Sequence, residues 1–464
     1  MNKFDQIFYA NSIAIVGASN NPSKASHQII KTMLKEGFQG KIFPIHPKEN
    51  EVLGLKCYKS ISDIEEVIDL LIIGVPSKEV HDIFIEASNR VDIKGAVILS
   101  AGFSETGIPD MIALEKKIVG IAKKAGIRIF GPNCIGVINS DTKLSTSFAP
   151  VSKVFNGNLG FITQSGSFGG SLLMLAEQSP KPLGFNKWAH VGNMSDVTNV
   201  EILEYFGEDP RISSIGLYLE GITHGKDLLK IAKKITHQKP VFLLKVGTTE
   251  ASSIATQSHT GILAGSDKIY DAAFRQSGII RVNNIEELID SLKAASMLSK
   301  PKGKNICVLT EAGGPGIISI DEITKDNYLK LANITVHTKK QLNNKLPPMA
   351  TICRPNGYID ITAAALEQEH ADTLKLVLDD PNVDIVLLIS LPPTFLPAIN
   401  VAEHVAKVIK NSDKIVAVCF MNGKSMLESR TFLENNNIPT FDTPDRAIRA
   451  LINLTKASCY LKND

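Results

Sequence analysis

The segment TQSHTGILAGSD, residues 256–267, sets one histidine, His259, among small and hydroxylated residues. A core histidine has apolar neighbours, and a zinc ligand has partners at ligand spacing; His259 has neither. An uncrowded imidazole is suited to carrying a phosphoryl group. That chemistry needs an open, mobile loop, a carboxylate to fix the tautomer and raise nucleophilicity, and electropositive helix ends for the phosphate. Glu220, in YLEGI, closes an apolar strand, a costly place for a carboxylate without a partner, and is assigned to orient His259. Spacing alone equally allows a solvated loop histidine and a strand-end carboxylate in an ordinary ion pair.

Two glycine turns offer the helix ends. ITQSGSFGG places Gln164, Ser165, Gly166 and Ser167 between a strand and a helix, and TEAGGPG places Gly313, Gly314 and Gly316 likewise, with Pro315 suited to a first helical position. Neither ends in the Lys-Ser/Thr of a Walker motif, so the pair reads as holding a small phosphoryl group between two helix dipoles rather than a nucleoside triphosphate. His190, in WAHVGNMSDV, borders that site or forms a tight loop.

A third turn, AIVGASNNPSK, carries Gly17, Ala18, Ser19, Pro22 and Lys24. Its backbone N–H groups and the lysine favour an anion, but the glycines of GxGxxG are missing, which disfavours a nicotinamide dinucleotide. Four later turns belong on the same sheet edge: HPK with Lys48, GVPS with Val75 and Pro76, SAGFSE with Ser100, Ala101 and Gly102, and GPNCIGV with Asn133. A long phosphorylated nucleotide ligand would use them together. A plain βα turn without ligand is the competing reading.

The elements that must position these residues are short β-branched runs, each ending in a Gly or Ser turn and followed by helical periodicity. That is the pattern of parallel sheets covered by helices. Three such blocks fill the 464 residues, in keeping with about 150 residues per domain, with breaks near residues 140–155 and at LSKPKGKN, residues 298–305. A net charge of +2 with 6% aromatics argues against a nucleic-acid surface. Six scattered cysteines read as reduced thiols in a cytoplasm. No run of about 18 apolar residues or secretory leader is seen, so no membrane role is expected.

Taken in order, GASNNPSK, PIHPK, GVPS, SAGFSETG, GPNCIGV, TQSGSFGG, GNMSD, LEGI, SHTGILAGSD and EAGGPG resemble the α subunit of ADP-forming acyl-CoA synthetases, the acetate–CoA ligase group related to succinyl-CoA synthetase. The resemblance spans essentially the whole chain. It implies an α/β protein of three domains: a Rossmann-like CoA-binding domain at 1–145, then two flavodoxin-like, succinyl-CoA synthetase-like domains at 146–300 and 301–464, the first carrying the phosphohistidine loop. It implies conversion of acyl-CoA, ADP and phosphate to free acid, CoA and ATP through an acyl phosphate and phosphorylated His259, with Glu220 stabilising. It assigns no metal to this chain. ADP or ATP with Mg would bind an ATP-grasp β subunit, a separate partner in a hetero-oligomer of α2β2 type, since no stretch here reads as an ATP-grasp. Two departures stand out: Ala25, Ser26 and His27 where relatives usually have a glycine near the helix start, leaving room for crowding of the CoA pyrophosphate, and RPNGYIDITAAA where a shorter Asn-Pro-x-Asp turn is usual. The rivals are a CoA-binding regulatory or scaffold protein without turnover and a succinate-specific subunit.

Overall fold

A computed structural model describes residues 3–149, 153–260, 267–421 and 423–461, the side chains of 256–260 excepted. The chain forms three mainly parallel sheets in two compact units. The first unit comprises Met1–Glu177, Leu183–Ile235 and Leu243–Arg281; the second comprises Gln178–Pro182, Thr236–Phe242 and Val282–Asp464.

The first sheet is built from β1 (Ser12–Val16), β2 (Lys41–Ile45), β3 (Leu70–Ile73), β4 (Gly95–Ile98) and β5 (Arg128–Phe130), in the order β2-β1-β3-β4-β5, all parallel. Successive side chains of a strand point to opposite faces, so a strand covered on both sides must be apolar throughout. In SIAIV, Ala14 and Val16 join Leu71, Ile73, Ala96 and Ile98 against Val80 and Phe84 of the helix Val80–Ala87 and Ile118 and Ala122 of the helix Pro109–Ala125. Ile13 and Ile15 are fully buried as well. Each such aliphatic side chain contributes about 1.5–3 kcal/mol. Strand order reverses at β1, so the crevice between the carboxyl ends of β1 and β3 is the expected ligand site of an open α/β sheet.

The second sheet contains β6 (Val137–Asn139), β7 (Leu144–Ser145), β8 (Leu159–Thr163), β9 (Phe185–His190), β10 (Ser214–Leu219), β11 (Val241–Lys245) and β12 (Ile280–Val282), in the order β12-β11-β10-β8-β9-β6-β7. Residues 137–145, grouped with the first domain in the sequence reading, pair into this sheet because β6 runs antiparallel to β9. Thr163 registers with His190 on one side and Tyr218 on the other, which brings the ends of three strands, and the residues just beyond them, to one edge. Arg128 of β5 ties this region to the first sheet through Asp196 at 2.9 Å and Glu201 at 3.1 Å.

The third sheet comprises β13 (Asn305–Thr310), β14 (Lys330–Leu331), β15 (Thr351–Ile352), β16 (Tyr358–Asp360), β17 (Ile385–Ser390), β18 (Ile415–Phe420) and β19 (Thr440–Phe441), in the order β15-β16-β13-β17-β18-β19 with β14 also on β13. Its strands alternate between two cores: Leu309, Val386, Leu388 and Val418 on one face, and Val308, Leu387, Ile389 and Ala417 on the other. The helix Ile285–Met297, assigned by sequence to the second domain, packs within the second unit on the helix Pro444–Ser458, where Arg446 bonds Asp290 and Asn453 bonds Glu287. Among the described residues no helix is long and apolar enough to cross a membrane.

Candidate active site

The crevice beside β1 opens into a cavity of about 560 Å³, within the range of small-molecule sites. Of the residues singled out by sequence, Gly17, Ser19, Lys24, Val75 and Pro76 line it, with His46 and Pro47. Ala18, Pro22, Lys48, Ser100, Ala101, Gly102 and Asn133 do not. The N–H groups of Gly17 and Ala18 are not presented to an anion, because both donate to the Ile45 carbonyl at 3.0 and 3.1 Å. Lys48 donates its N–H to His46 Nδ1. Ser100 turns its hydroxyl onto the Val75 carbonyl, the Gly102 N–H goes to Glu105, and the Asn133 N–H goes to the Ser100 carbonyl. These bonds therefore hold the turns behind the cavity rather than lining it. The anion donors that remain are Lys24, at the N-cap of the helix Ala25–Glu36, and the first turn of that helix, which no side chain caps. Ser26 and His27 are both buried and turned back onto the turn after β1. Ser26 Oγ bonds back to the Gly17 carbonyl at 2.8 Å, and His27 Nδ1 meets the Ser19 carbonyl at 3.1 Å. Lys59, Glu79, Asp82 and Glu86 also line the cavity and were missed; no motif surrounds them.

Gly17 has φ +83°, and a Cβ there would stand 2.8 Å from both the Gly74 carbonyl oxygen and Val75 Cγ1. Gly17→Val is therefore expected to separate β1 from β3 and to weaken CoA binding at least about tenfold, a loss of ~1.4 kcal/mol or more. Calorimetric titration with CoA checks this; unchanged affinity would remove the crevice from consideration.

The second cluster lies at the carboxyl edge of the second sheet. The Thr163 hydroxyl donates to the Ser165 carbonyl at 2.8 Å and accepts the Ser165 N–H at 3.1 Å, folding the chain into the turn that starts the helix Gly166–Glu177. Ser165 Oγ caps the Phe168 N–H, and Ser167 is exposed. A Cβ on Gly166 would meet Ile135 Cγ2 at 2.9 Å and the His190 ring at 3.2 Å, so the turn packs directly on both. His190 is a structural residue: its Nδ1 accepts the Ile135 N–H at 2.8 Å and its Nε2–H donates to the Gln164 carbonyl at 3.0 Å. Burial pulls its pKa down to about 4, so it stays neutral.

Gln164 was expected to touch phosphate, but its side chain is spent elsewhere. Its Oε1 accepts the N–H groups of Glu220 at 2.5 Å and Gly221 at 3.0 Å, and its Nε2 donates to the Gly221 carbonyl at 2.8 Å. Lys245 Nζ grips the Glu220 carbonyl from the other side at 2.7 Å. Tyr218, stacked on Phe168 at 3.8 Å, hydrogen-bonds the Glu220 carboxylate, and burial together with that carboxylate pushes its phenol up to about 12. Glu220 is thus a buried carboxylate held at backbone and side chain. Lys245 was missed although VFLLKVGTT carries the same signal as LYLEGI, a charge closing an apolar strand.

Burial pulls the Lys245 ammonium down to about 8; Arg281 adds repulsion, while Asp267 and Glu220 oppose the fall. The folded value lies below the ordinary lysine value of 10.5, so the folded chain releases this proton first as pH rises. The penalty of holding the buried charge is present below about 8 and is relieved between that pH and 10.5. If the charge-assisted bond to Glu220 supports turnover, activity falls as pH rises through about 8, and Lys245→Arg carries the plateau to higher pH. An identical alkaline limb in the variant would contradict this.

In the second unit, Thr310 repeats the role of Thr163: its Oγ1 donates to the Ala312 carbonyl and accepts the Ala312 N–H, both at 2.9 Å. The helix that follows, Gly313–Asp326, begins without a side-chain cap. Gly316 packs against Tyr358, whose ring a Cβ would meet at 2.6 Å, and Gly313 lies beside the Asp360 carboxylate. The loop expected around His259 is helix in its first part. Residues Glu250–Thr260 are helical, which places His259 in the last turn; its side chain, and residues 261–266, lie outside the described residues.

Three family descriptions match the chain: a CoA binding domain over residues 11–140, a succinyl-CoA ligase like flavodoxin domain over 156–295, and a ligase-CoA domain over 306–448. The chain is 41% identical to the acetate–CoA ligase [ADP-forming] II subunit alpha of Pyrococcus furiosus, covering 95% of each. It is 39% identical to the acetate–CoA ligase [ADP-forming] of Methanocaldococcus jannaschii, covering 97% of this chain and 63% of that longer relative. A structure of the dinucleotide-forming acetyl-coenzyme A synthetase 1 of Ca. Korarchaeum cryptofilum, in complex with phosphate and ADP, superposes with a TM-score of 0.91 at 34% identity, covering 99% of this chain and 98% of that one. At 41% identity over 95% of each chain to an α subunit, the chain belongs to the ADP-forming acetate–CoA ligase family, on the side of the α subunits.

Proposed function

We propose that this chain is the α subunit of an ADP-forming acyl-CoA synthetase, with acetyl-CoA as the reference substrate. CoA lies with its phosphates at the uncapped helix end and Lys24. Inorganic phosphate attacks the thioester carbonyl, releasing CoA as thiol and leaving an acyl phosphate. His259 then attacks phosphorus, the acid departs as carboxylate, and the imidazole carries the phosphoryl group. ADP bound to an ATP-grasp partner chain takes the group from His259, forming ATP and restoring the histidine; Mg belongs to that nucleotide site.

The observation that carries this reading is the linkage of Glu220 to the Ser165–Ser167 turn through Gln164. The residue that begins the turn also fixes the main chain of the carboxylate, so an anion on the helix end and a cationic imidazole beside Glu220 would be positioned by one element. The glycine turn at Gly313, Gly314 and Gly316 supports the reading as a second uncapped helix end within its own unit. A separate partner is supported by the P. furiosus relative, which matches end to end and is named a subunit alpha.

The test supplies acetyl-CoA, ADP and phosphate to the chain with and without a co-expressed ATP-grasp chain and measures ATP. ATP formed only with both chains supports the proposal. CoA binding with no ATP under either condition favours the regulatory protein.

A further inference from the structure

Glu311 follows β13 as Gln164 follows β8, and the parallel registers make the two positions equivalent: Thr163 pairs with Tyr218 and Thr310 with Ile389, so Leu391 stands where Glu220 does. The oxygen that faces this neighbour acts alike in both. Gln164 Oε1 accepts from Glu220 and Gly221; Glu311 Oε1 accepts from the Leu391 N–H and from Ser390 Oγ at 3.1 Å. The other end differs. Gln164 donates an amide N–H, whereas Glu311 offers a second oxygen, Oε2, which meets His370 Nε2. His370 is fully buried on the helix Glu367–Asp379, and its Nδ1 lies 2.8 Å from the Leu366 carbonyl. A carbonyl only accepts, so Nδ1 carries a hydrogen, and a second hydrogen must lie between Nε2 and Oε2. The pair therefore holds one proton that a carboxylate facing a neutral imidazole would lack.

We infer that His370 is a positioning residue that neutralises Glu311, so that the glycine turn two residues further on can accept an anion. The inference rests on the proposed phosphate role of that turn. A buried carboxylate left charged two residues before Gly313, with Asp360 already beside Gly313, would repel a phosphate at the helix end. A shared proton removes that charge without giving up the bonds to Leu391 and Ser390. Glutamine at 164 meets the same requirement with a neutral side chain.

The test uses the full-length chain and thermal-shift titration with inorganic phosphate and, separately, with CoA. Glu311→Gln is expected to bind phosphate as the parent does, within about twofold. His370→Gln keeps a donor to Glu311 but supplies no proton, and is expected to weaken phosphate at least about tenfold; the double variant Glu311→Gln/His370→Gln recovers to within about threefold. CoA affinity stays constant in all four. A folded His370→Gln with unchanged phosphate affinity, or a double variant that does not recover, overturns the inference. A parent chain that binds CoA but no phosphate defeats the phosphate reading of the turn, and this inference with it. Should His370→Gln fail to fold, proton NMR of the parent reads the shared proton directly as a far-downfield signal lost in Glu311→Gln, and its absence overturns the proposal.

Discussion

His259→Ala should lower ATP formation from acetyl-CoA, ADP and phosphate by at least about a thousandfold while leaving CoA affinity unchanged. The magnitude follows from the proposed role: the imidazole would be the covalent carrier between two sites, and removing a nucleophile leaves only the catalysis that binding and electrostatics supply. The selectivity follows from position. The crevice proposed for CoA is formed at Gly17, Lys24, Val75 and Pro76 on the first sheet, and among the described residues none of its lining comes from the helix Glu250–Thr260. Steady-state rates and calorimetry on the same preparation decide it. A variant with half the parental rate would end the covalent mechanism.

Glu220→Gln should be the second most damaging change, lowering turnover about 10²- to 10⁴-fold with little loss of stability. The amide keeps the volume of the side chain and leaves the backbone clamp from Gln164 and Lys245 in place, so the fold persists. What it loses is the negative charge that the proposal sets beside the His259 imidazole, which becomes cationic on phosphorylation, together with the acceptor proposed to fix its tautomer. Tyr218 provides an internal check. Its phenol is held up to about 12 by burial and by the Glu220 carboxylate, so a spectrophotometric titration of the variant should show it ionising at lower pH. Full activity in Glu220→Gln would mean that the carboxylate is only a strand-end group.

Much of this was legible in the sequence for a physical reason. Strands buried on both faces must be apolar throughout, so SIAIV, LGFIT and NICVLT announce themselves, and the small residues after them mark places where backbone comes close to something. A charge closing such a run is equally visible, which is how Glu220 was found. Lys245 and Glu311 carry the same mark. What the sequence does not hold is the direction of a hydrogen bond. Gln164 and the Gly17 N–H lie in turns suited to phosphate, yet both are spent inside the protein, on Glu220 and on Ile45. The acidic wall of the crevice, Glu79, Asp82 and Glu86, comes from the turn Ser77–Glu79 and the helix Val80–Ala87 after it, whose spacing looks like an ordinary solvated face. The placement of β6 and β7 in the second sheet depends on pairing with β9 some 50 residues on, which no local pattern encodes.

The measurement that bears most directly on the central claim is intact-mass analysis of the purified chain after incubation with acetyl phosphate, alone and then with the partner chain and ATP, beside His259→Ala. The account predicts one phosphoryl group, labile in acid and stable in base, on the parent and absent from the variant. A parent chain that stays unmodified with partner and ATP both present, or an adduct that survives in His259→Ala, would contradict it.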